Sequence, residues 1–140
     1  MGRILLIDDD NLVRESLAMH LQDAGHEVVQ AADGRAGIDA FRTGRFDLVI
    51  TDLFMPEVEG IETIRLLRQD NAEVPIVAIT GGPSLPAGSG QRAMPDYLRM
   101  ARALGATDIV QKPFSLRQLI GLVESCLAGD HATDGEGQGG

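Results

Sequence analysis

The sequence predicts an α/β domain in which a parallel sheet is covered by helices on both faces. Short apolar runs alternate with longer stretches in which apolar residues recur every three or four positions. The apolar runs show little alternation with polar residues, which is typical of strands buried on both faces of a parallel sheet. A chain of 140 residues, 44% of them hydrophobic, has the right size for one such domain.

Five apolar runs are predicted to be strands. The strongest are residues 3–7, 47–51 and 75–80, because they are rich in Leu, Val and Ile. Residues 26–31 and 108–111 are weaker runs of the same kind.

Helical patterns lie between these strands. Apolar residues have helical spacing in five stretches, namely Val13, Leu17, Leu21 and Ala24; Ile38 and Phe41; Ile61, Ile64 and Leu67; Met94, Leu98 and Ala101; and Leu116, Leu119, Ile120, Val123 and Leu127. Gly25, Gly44 and Gly105 follow three of them, where a helix would end. Ser115 is a suitable N-cap for the last helix.

The order of the elements is therefore a strand and a helix, repeated five times. Right-handed crossovers leave few topologies for such a chain, and five strands favour the flavodoxin-like, doubly wound order 2-1-3-4-5. We expect residues 1–128 to form this domain, with a Gly-, Pro- and Ser-rich insertion at residues 81–93. Residues 129–140 are a polar, Gly-rich tail that is predicted to be disordered.

Composition excludes several classes of protein. A formal net charge of −9 argues against non-specific binding to nucleic acid or to an anionic membrane surface. The single cysteine, Cys126, allows no intramolecular disulfide, and no apolar run approaches the ~18 residues of a membrane span. The chain also begins without the layout of a signal peptide. We therefore expect a cytoplasmic protein that contacts neither nucleic acid nor membrane.

Polar residues follow the strands at the predicted carboxyl edge of the sheet. Asp8 and Asp9 follow the first strand, Asp52 the third, Thr80 ends the fourth, and Lys112 follows the fifth. In an open parallel sheet all these ends point to one edge, and ligands bind there between the first and third strands. Three carboxylates, a hydroxyl and an ammonium group should therefore meet in one cleft.

This set of residues suits phosphoryl chemistry. Clustered carboxylates raise one another's pKa unless a cation balances them. Mg²⁺ prefers oxygen ligands and keeps positions open for phosphoryl oxygens. Lys112 and Thr80 would add a positive charge and a hydrogen-bond donor, and Asp52 is then a candidate nucleophile, since carboxylates form acyl phosphates.

Four segments of the chain resemble the receiver domain of two-component response regulators. They are "ILLIDDDNLVRESL", "DLVITDLFMPEVEGIE", "PIVAIT" and "GATDIVQKPFSLRQL", and the resemblance covers residues 3 to about 127. It implies that Asp52 accepts a phosphoryl group from a phosphohistidine on a sensor histidine kinase or a histidine phosphotransfer protein. It also implies that Mg²⁺ is held by Asp8, through water, by Asp9 and Asp52, and by the backbone carbonyl of Phe54. Thr80 and Lys112 would bind the phosphoryl oxygens.

Many members of this family continue into an output domain, and this sequence shows none after its last helix, so we expect a single-domain, chemotaxis-regulator-like protein of a phosphorelay. Its signal would leave by a change in protein contacts or by onward transfer of the phosphoryl group. Its chemistry would be limited to its own phosphorylation and dephosphorylation, so we do not expect an enzyme that acts on a separate substrate. The downstream partner would be another protein.

Two alternatives remain open on the sequence. Ile109 stands where many receivers carry an aromatic switch residue. The first alternative is therefore a receiver-like interaction module that is not phosphorylated. The second alternative is an aspartyl-nucleophile phosphatase, although such enzymes usually carry a second Asp where this chain has Phe54. If the acids had no shared function, they would be turn residues that cap helices.

Other polar residues are predicted to be structural. We expect Asp10 near the start of the first helix, where its charge favours the helix dipole. His26 is predicted at the surface, Arg14 and Arg68 on solvated helix faces, and Cys126 in the core as a small hydrophobic residue.

Overall fold

A computed structural model describes residues 2–53, 57–80, 99, 102–103, 105–111 and 114–129 of the chain. These residues form five strands and four helices: β1 (Arg3–Ile7), α1 (Asn11–Asp23), β2 (Glu27–Ala31), α2 (Gly34–Thr43), β3 (Leu48–Asp52), α3 (Glu57–Asp70), β4 (Ile76–Thr80), β5 (Asp108–Gln111) and α4 (Leu116–Leu127). The helix predicted around Met94 to Ala101, the insertion at 81–93 and the tail at 130–140 lie outside the described residues. Nearby, the described positions 99 and 102–103 are helical.

The strands form one parallel sheet in the order β2-β1-β3-β4-β5, which confirms the predicted topology. Each strand begins within one residue of its predicted start. The central strand β3 is buried along its whole length, as its continuous apolar run indicated.

Two helical layers cover the sheet, one on each face. Side chains alternate between the faces along each strand, so Leu5 and Ile7 of β1 belong to the core under α2 and α3. Ile4 and Leu6 belong to the core under α1 and α4. Of the described helices, none is long and apolar enough to cross a bilayer.

Particular residues mark where the helices begin and end. The Ser115 hydroxyl accepts a hydrogen bond from the Gln118 amide at 3.0 Å, which confirms the predicted N-cap of α4. After α1, Gly25 adopts φ +101°, a backbone conformation that glycine reaches without strain.

His26 is buried, so its predicted surface position is wrong. Only 5% of the residue is exposed, and its Nδ1 accepts a hydrogen bond from the Gly2 amide at 3.1 Å. Burial lowers the pKa of His26, the positive N-terminus lowers it further, and Glu124, whose Oε2 is 3.8 Å from Nε2, opposes this shift. Burial therefore favours the neutral form of the imidazole.

Arg68 also departs from its predicted solvated position. Its guanidinium donates to the Gly105 carbonyl at 2.9 Å and to the Thr107 hydroxyl at 3.2 Å. Partial burial lowers its pKa. Arg68 thus ties the end of α3 to the segment that enters β5. The prediction for Cys126 is confirmed, since it is 3% exposed and burial raises the pKa of its thiol to about 11.

Candidate functional site

Three carboxylates converge at the carboxyl edge of the sheet. Asp8 directly follows β1 and Asp52 ends β3, and these strands are neighbours with Ile7 in register with Thr51. One carboxylate oxygen from each of Asp8, Asp9 and Asp52 lies within 4.8 Å of the other two. Residues 44 positions apart are therefore brought together by the pairing of two parallel strands.

The three acids differ in their exposure. Asp8 is 1% exposed and Asp52 is 3% exposed, whereas Asp9 is exposed. An ionised carboxylate loses much of its hydration when it is buried, so such groups need hydrogen bonds or a cation. The Asp10 amide donates to Asp8 Oδ1 at 2.9 Å and supplies part of this stabilisation.

The oxygen set fits a divalent cation of the size of Mg²⁺. Octahedral coordination at about 2.0–2.1 Å places adjacent ligand oxygens about 2.9 Å apart and opposite ones about 4.1 Å apart. The carboxylate oxygens of the three acids lie within 4.8 Å of one another, close to the larger of these two separations. All three ligand atoms would be carboxylate oxygens, and Asp9 is exposed, which leaves room at the ion for water or phosphoryl oxygens.

A short connection between β1 and α1 carries two of the acids. The Asp8 amide donates to the Ala31 carbonyl of β2 at 3.1 Å. The Asp10 carboxylate accepts from the amides of Leu12 and Val13, so Asp10 is the N-cap of α1. The prediction placed Asp10 near the start of this helix, and its capping role adds a specific structural reason for the third acid.

Arg14 is only partly exposed, and it contacts the connection that carries these acids, whereas the sequence predicted it on a solvated helix face. Its Nη1 donates to the Asp8 carbonyl at 2.9 Å, and its Nε donates to Gln30 Oε1 at 3.1 Å. Helical side chains lean toward the N-terminus of their helix. An arginine one turn after the N-cap is therefore a recognisable signal for a contact with the preceding loop.

α3 closely approaches the backbone that follows Asp52 at the end of β3. The amide of Leu53 donates to the Ile79 carbonyl at 2.8 Å. Gly60 of α3 packs on Leu53 so tightly that a Cβ there would lie 2.9 Å from the Leu53 carbonyl oxygen. The glycine thus lets the helix lie directly against the backbone that follows Asp52.

Part of the predicted site lies outside the described residues. Phe54 and Lys112 are not among them, and the side chain of Thr80 is not described either. The backbone of Thr80 ends β4 in register with Gln111, the residue before Lys112. Ile109 is partly buried against the core under α2 and α3.

Comparison with known proteins agrees with this geometry. The family model for the response regulator receiver domain matches residues 4–124. The response regulator MprA of Mycolicibacterium vanbaalenii is 36% identical over 136 residues, which are 97% of this chain and 54% of that protein. A probable transcriptional regulatory protein of Picosynechococcus is 33% identical over 90% of this chain and 49% of its own length. The chain thus spans about half the length of these curated relatives.

A solved structure is similar over its whole length. The chemotaxis protein CheY4 of Vibrio cholerae is 30% identical and superposes with a TM-score of 0.74, over 90% of this chain and 98% of that one. Together with the family match across most of the domain, this shows that the chain belongs to the response regulator receiver domain family of two-component signalling.

Proposed function

We propose that this chain is a phosphorylatable receiver in which Asp52 accepts a phosphoryl group from a phosphohistidine. The observation that supports this most is the convergence of Asp8, Asp9 and Asp52 within 4.8 Å at the carboxyl edge of the sheet. Phosphoryl transfer needs mainly alignment and neutralisation of charge. The buried Asp52 would supply an aligned nucleophile, and the acids beside it would hold a cation that neutralises the charge.

The transfer is a displacement at phosphorus. A carboxylate oxygen of Asp52 forms a bond to the phosphorus, and the phosphorus–nitrogen bond of the donor breaks. The electron pair of that bond returns to the donor imidazole, and Asp52 becomes an acyl phosphate. Asp52 is only 3% exposed, so little bulk water surrounds the carboxylate that would react.

Mg²⁺ would supply the positive charge that this step requires. Asp9 and Asp52 are proposed as direct ligands, Asp8 as a ligand through water, and the backbone carbonyl of Phe54 as the remaining protein ligand. The oxygen separations fit this role, and Asp8 and Asp9 would share the task of holding the ion beside the acceptor.

Thr80 and Lys112 are proposed to bind the phosphoryl oxygens. The register between β4 and β5 supports this, because Thr80 lies beside Gln111 and Lys112 follows it directly. The hydroxyl would donate a hydrogen bond and the ammonium would balance the charge of the phosphoryl group.

The donor would be a sensor histidine kinase or a histidine phosphotransfer protein, and the output a change in protein contacts. We propose residues 1–128 as the receiver unit, without activity on a separate substrate and with a cytoplasmic location. The acidic net charge supports a receiver that does not itself bind nucleic acid. An electrophoretic mobility assay of this chain with duplex DNA would test that point, which matters because a relative is named as a probable transcriptional regulator.

The experiment is intact mass spectrometry after incubation with acetyl phosphate, with and without Mg²⁺. Wild type should gain one phosphoryl group only with Mg²⁺, and Asp52→Asn should gain none. Asp10→Asn is the matched control, because it removes a neighbouring charge yet keeps an N-cap side chain, and it should be phosphorylated. A folded wild type that binds Mg²⁺ but gains no mass would contradict the proposal.

That negative result would favour the second candidate, a receiver-like interaction module that works without phosphorylation. The packing of the aliphatic Ile109 against the core supports this candidate, since an aliphatic side chain cannot replace an aromatic ring that moves on activation.

A further inference from the structure

We propose that Arg14 is a positioning residue that holds the connection between β1 and α1 in the geometry that Mg²⁺ binding requires. The inference rests on the proposed function, since the ion is the one proposed above. Arg14 lies on α1, yet it bonds to groups on two other parts of the chain, the Asp8 carbonyl at 2.9 Å and Gln30 of β2 at 3.1 Å. It therefore spans the connection that carries the acids.

This contact completes the fixation of the Asp8 backbone. The Asp8 amide is already bound to the Ala31 carbonyl of β2, and Asp8 Oδ1 accepts from the Asp10 amide. The guanidinium adds the bond to the carbonyl, so the amide, carbonyl and side chain of Asp8 are all held. Asp9 is exposed and lies between Asp8 and the N-cap Asp10, both of which are held by hydrogen bonds.

Gln30 fixes the arginine in turn. It belongs to β2, whose pairing with β1 places it in register with Leu6, two residues before Asp8. The hydrogen bond from Arg14 Nε to Gln30 therefore links the connection between β1 and α1 to the sheet. Partners that hydrogen-bond directly to metal ligands typically contribute 10–100-fold to metal affinity, so a contact made through the backbone is expected at the lower end of this range.

The positive charge of Arg14 acts in the opposite direction. A cation near a metal site repels the metal, so loss of the charge alone would tighten Mg²⁺ binding. Arg14 is partly exposed, however, and solvent and salt screen its charge. We therefore expect the loss of positioning to outweigh the gain from removing the charge, and the sign of the change separates the two effects.

The test is the Mg²⁺ dissociation constant of wild type, Arg14→Met and Arg14→Lys, measured by isothermal titration calorimetry. Arg14→Met should weaken binding about tenfold, and Arg14→Lys, which keeps the charge and one donor, should be intermediate. Arg42→Met is the matched control, because Arg42 pairs with Asp70 away from the acids and its loss changes the net charge equally. Tighter binding by Arg14→Met, or equal weakening in the Arg42 control, would overturn the inference.

Two further measurements distinguish positioning from general loosening. In Arg14→Met the Mg²⁺ concentration for half-maximal phosphorylation should rise about tenfold, while the rate at saturating Mg²⁺ is retained. In a double-mutant cycle, Gln30→Ala should weaken binding in wild type but add little in Arg14→Met, since both act through one contact. Additive effects would contradict the proposed link.

A readout without metal keeps this inference separate from the proposed function. In the metal-free protein, amide exchange at Asp10, whose amide donates to Asp8 Oδ1, should be faster in Arg14→Met and unchanged in Arg42→Met. Unchanged exchange in both would show that Arg14 does not hold the connection. A wild type that fails to bind Mg²⁺ would instead remove the proposed function, and the exchange data would still decide whether Arg14 holds this loop.

Discussion

Substitution of Gly60 by alanine tests whether the close contact between α3 and β3 sets the position of Asp52. The new methyl carbon would lie 2.9 Å from the carbonyl oxygen of Leu53 and 3.0 Å from its Cα. Both atoms are backbone, so they cannot rotate away as a flexible side chain would. Gly121→Ala in α4 is the matched control, because a Cβ there meets nothing within 4 Å.

The difference between these two variants isolates the steric cost. Each gains about 1 kcal/mol of helix propensity over glycine, and this gain cancels in the comparison. Carbon–oxygen contacts in proteins are normally about 3.3 Å or longer, so α3 must move by about 0.4 Å. Overpacking of this kind costs about 1–3 kcal/mol. Gly60→Ala should therefore be about 1–3 kcal/mol less stable than Gly121→Ala.

The assay is equilibrium unfolding in urea, combined with the rate of phosphorylation by acetyl phosphate. Gly121→Ala should be slightly more stable than wild type and equally reactive. Gly60→Ala should react several-fold more slowly, because small displacements of reacting groups slow group transfer. If Gly60→Ala stabilises the protein as much as Gly121→Ala does and keeps the wild-type rate, the reasoning is refuted.

Three other outcomes can be checked with the same methods. Gly37→Ala places a Cβ 2.4 Å from Ile7 Cδ1 and 2.8 Å from Ile7 Cγ1, so it should cost about 1 kcal/mol net. Ile7→Val removes the Cδ1 atom but keeps a Cγ1 atom, so it should relieve part of this cost, and additive free energies of unfolding in the double-mutant cycle would contradict the contact. The pKa of His26 is lowered in the fold, so the unfolded chain binds a proton at higher pH than the folded protein does, and the free energy of unfolding should fall as pH drops below about 6.5. This dependence of stability on pH should be weaker in His26→Gln, and an equal dependence in both proteins would show that His26 does not cause it. Asp10→Ala should lose about 1 kcal/mol of stability because the N-cap of α1 is lost, whereas Asp10→Ser should lose little stability and keep its Mg²⁺ affinity. A large loss of Mg²⁺ affinity in the serine variant would place Asp10 among the metal ligands.

The sequence by itself determined the order of the elements and the topology of the sheet. Apolar periodicity is a local property, so it located all five strands to within one residue of their observed starts. The rule that parallel strands end at a common edge then predicts that Asp8, Asp9 and Asp52 meet there. The convergence of these three acids followed from topology alone.

Only the tertiary structure decided the partners of the other polar groups. The buried ring of His26 accepts from the amide of Gly2, 24 positions away, and Arg68 reaches Thr107 across 39 positions. Arg14 finds its second partner on β2. Periodicity reports which face of an element is apolar, but a polar side chain can be buried wherever a distant segment completes its hydrogen bonds. The physical reason is that burial of such groups depends on long-range pairing, which a local pattern does not encode.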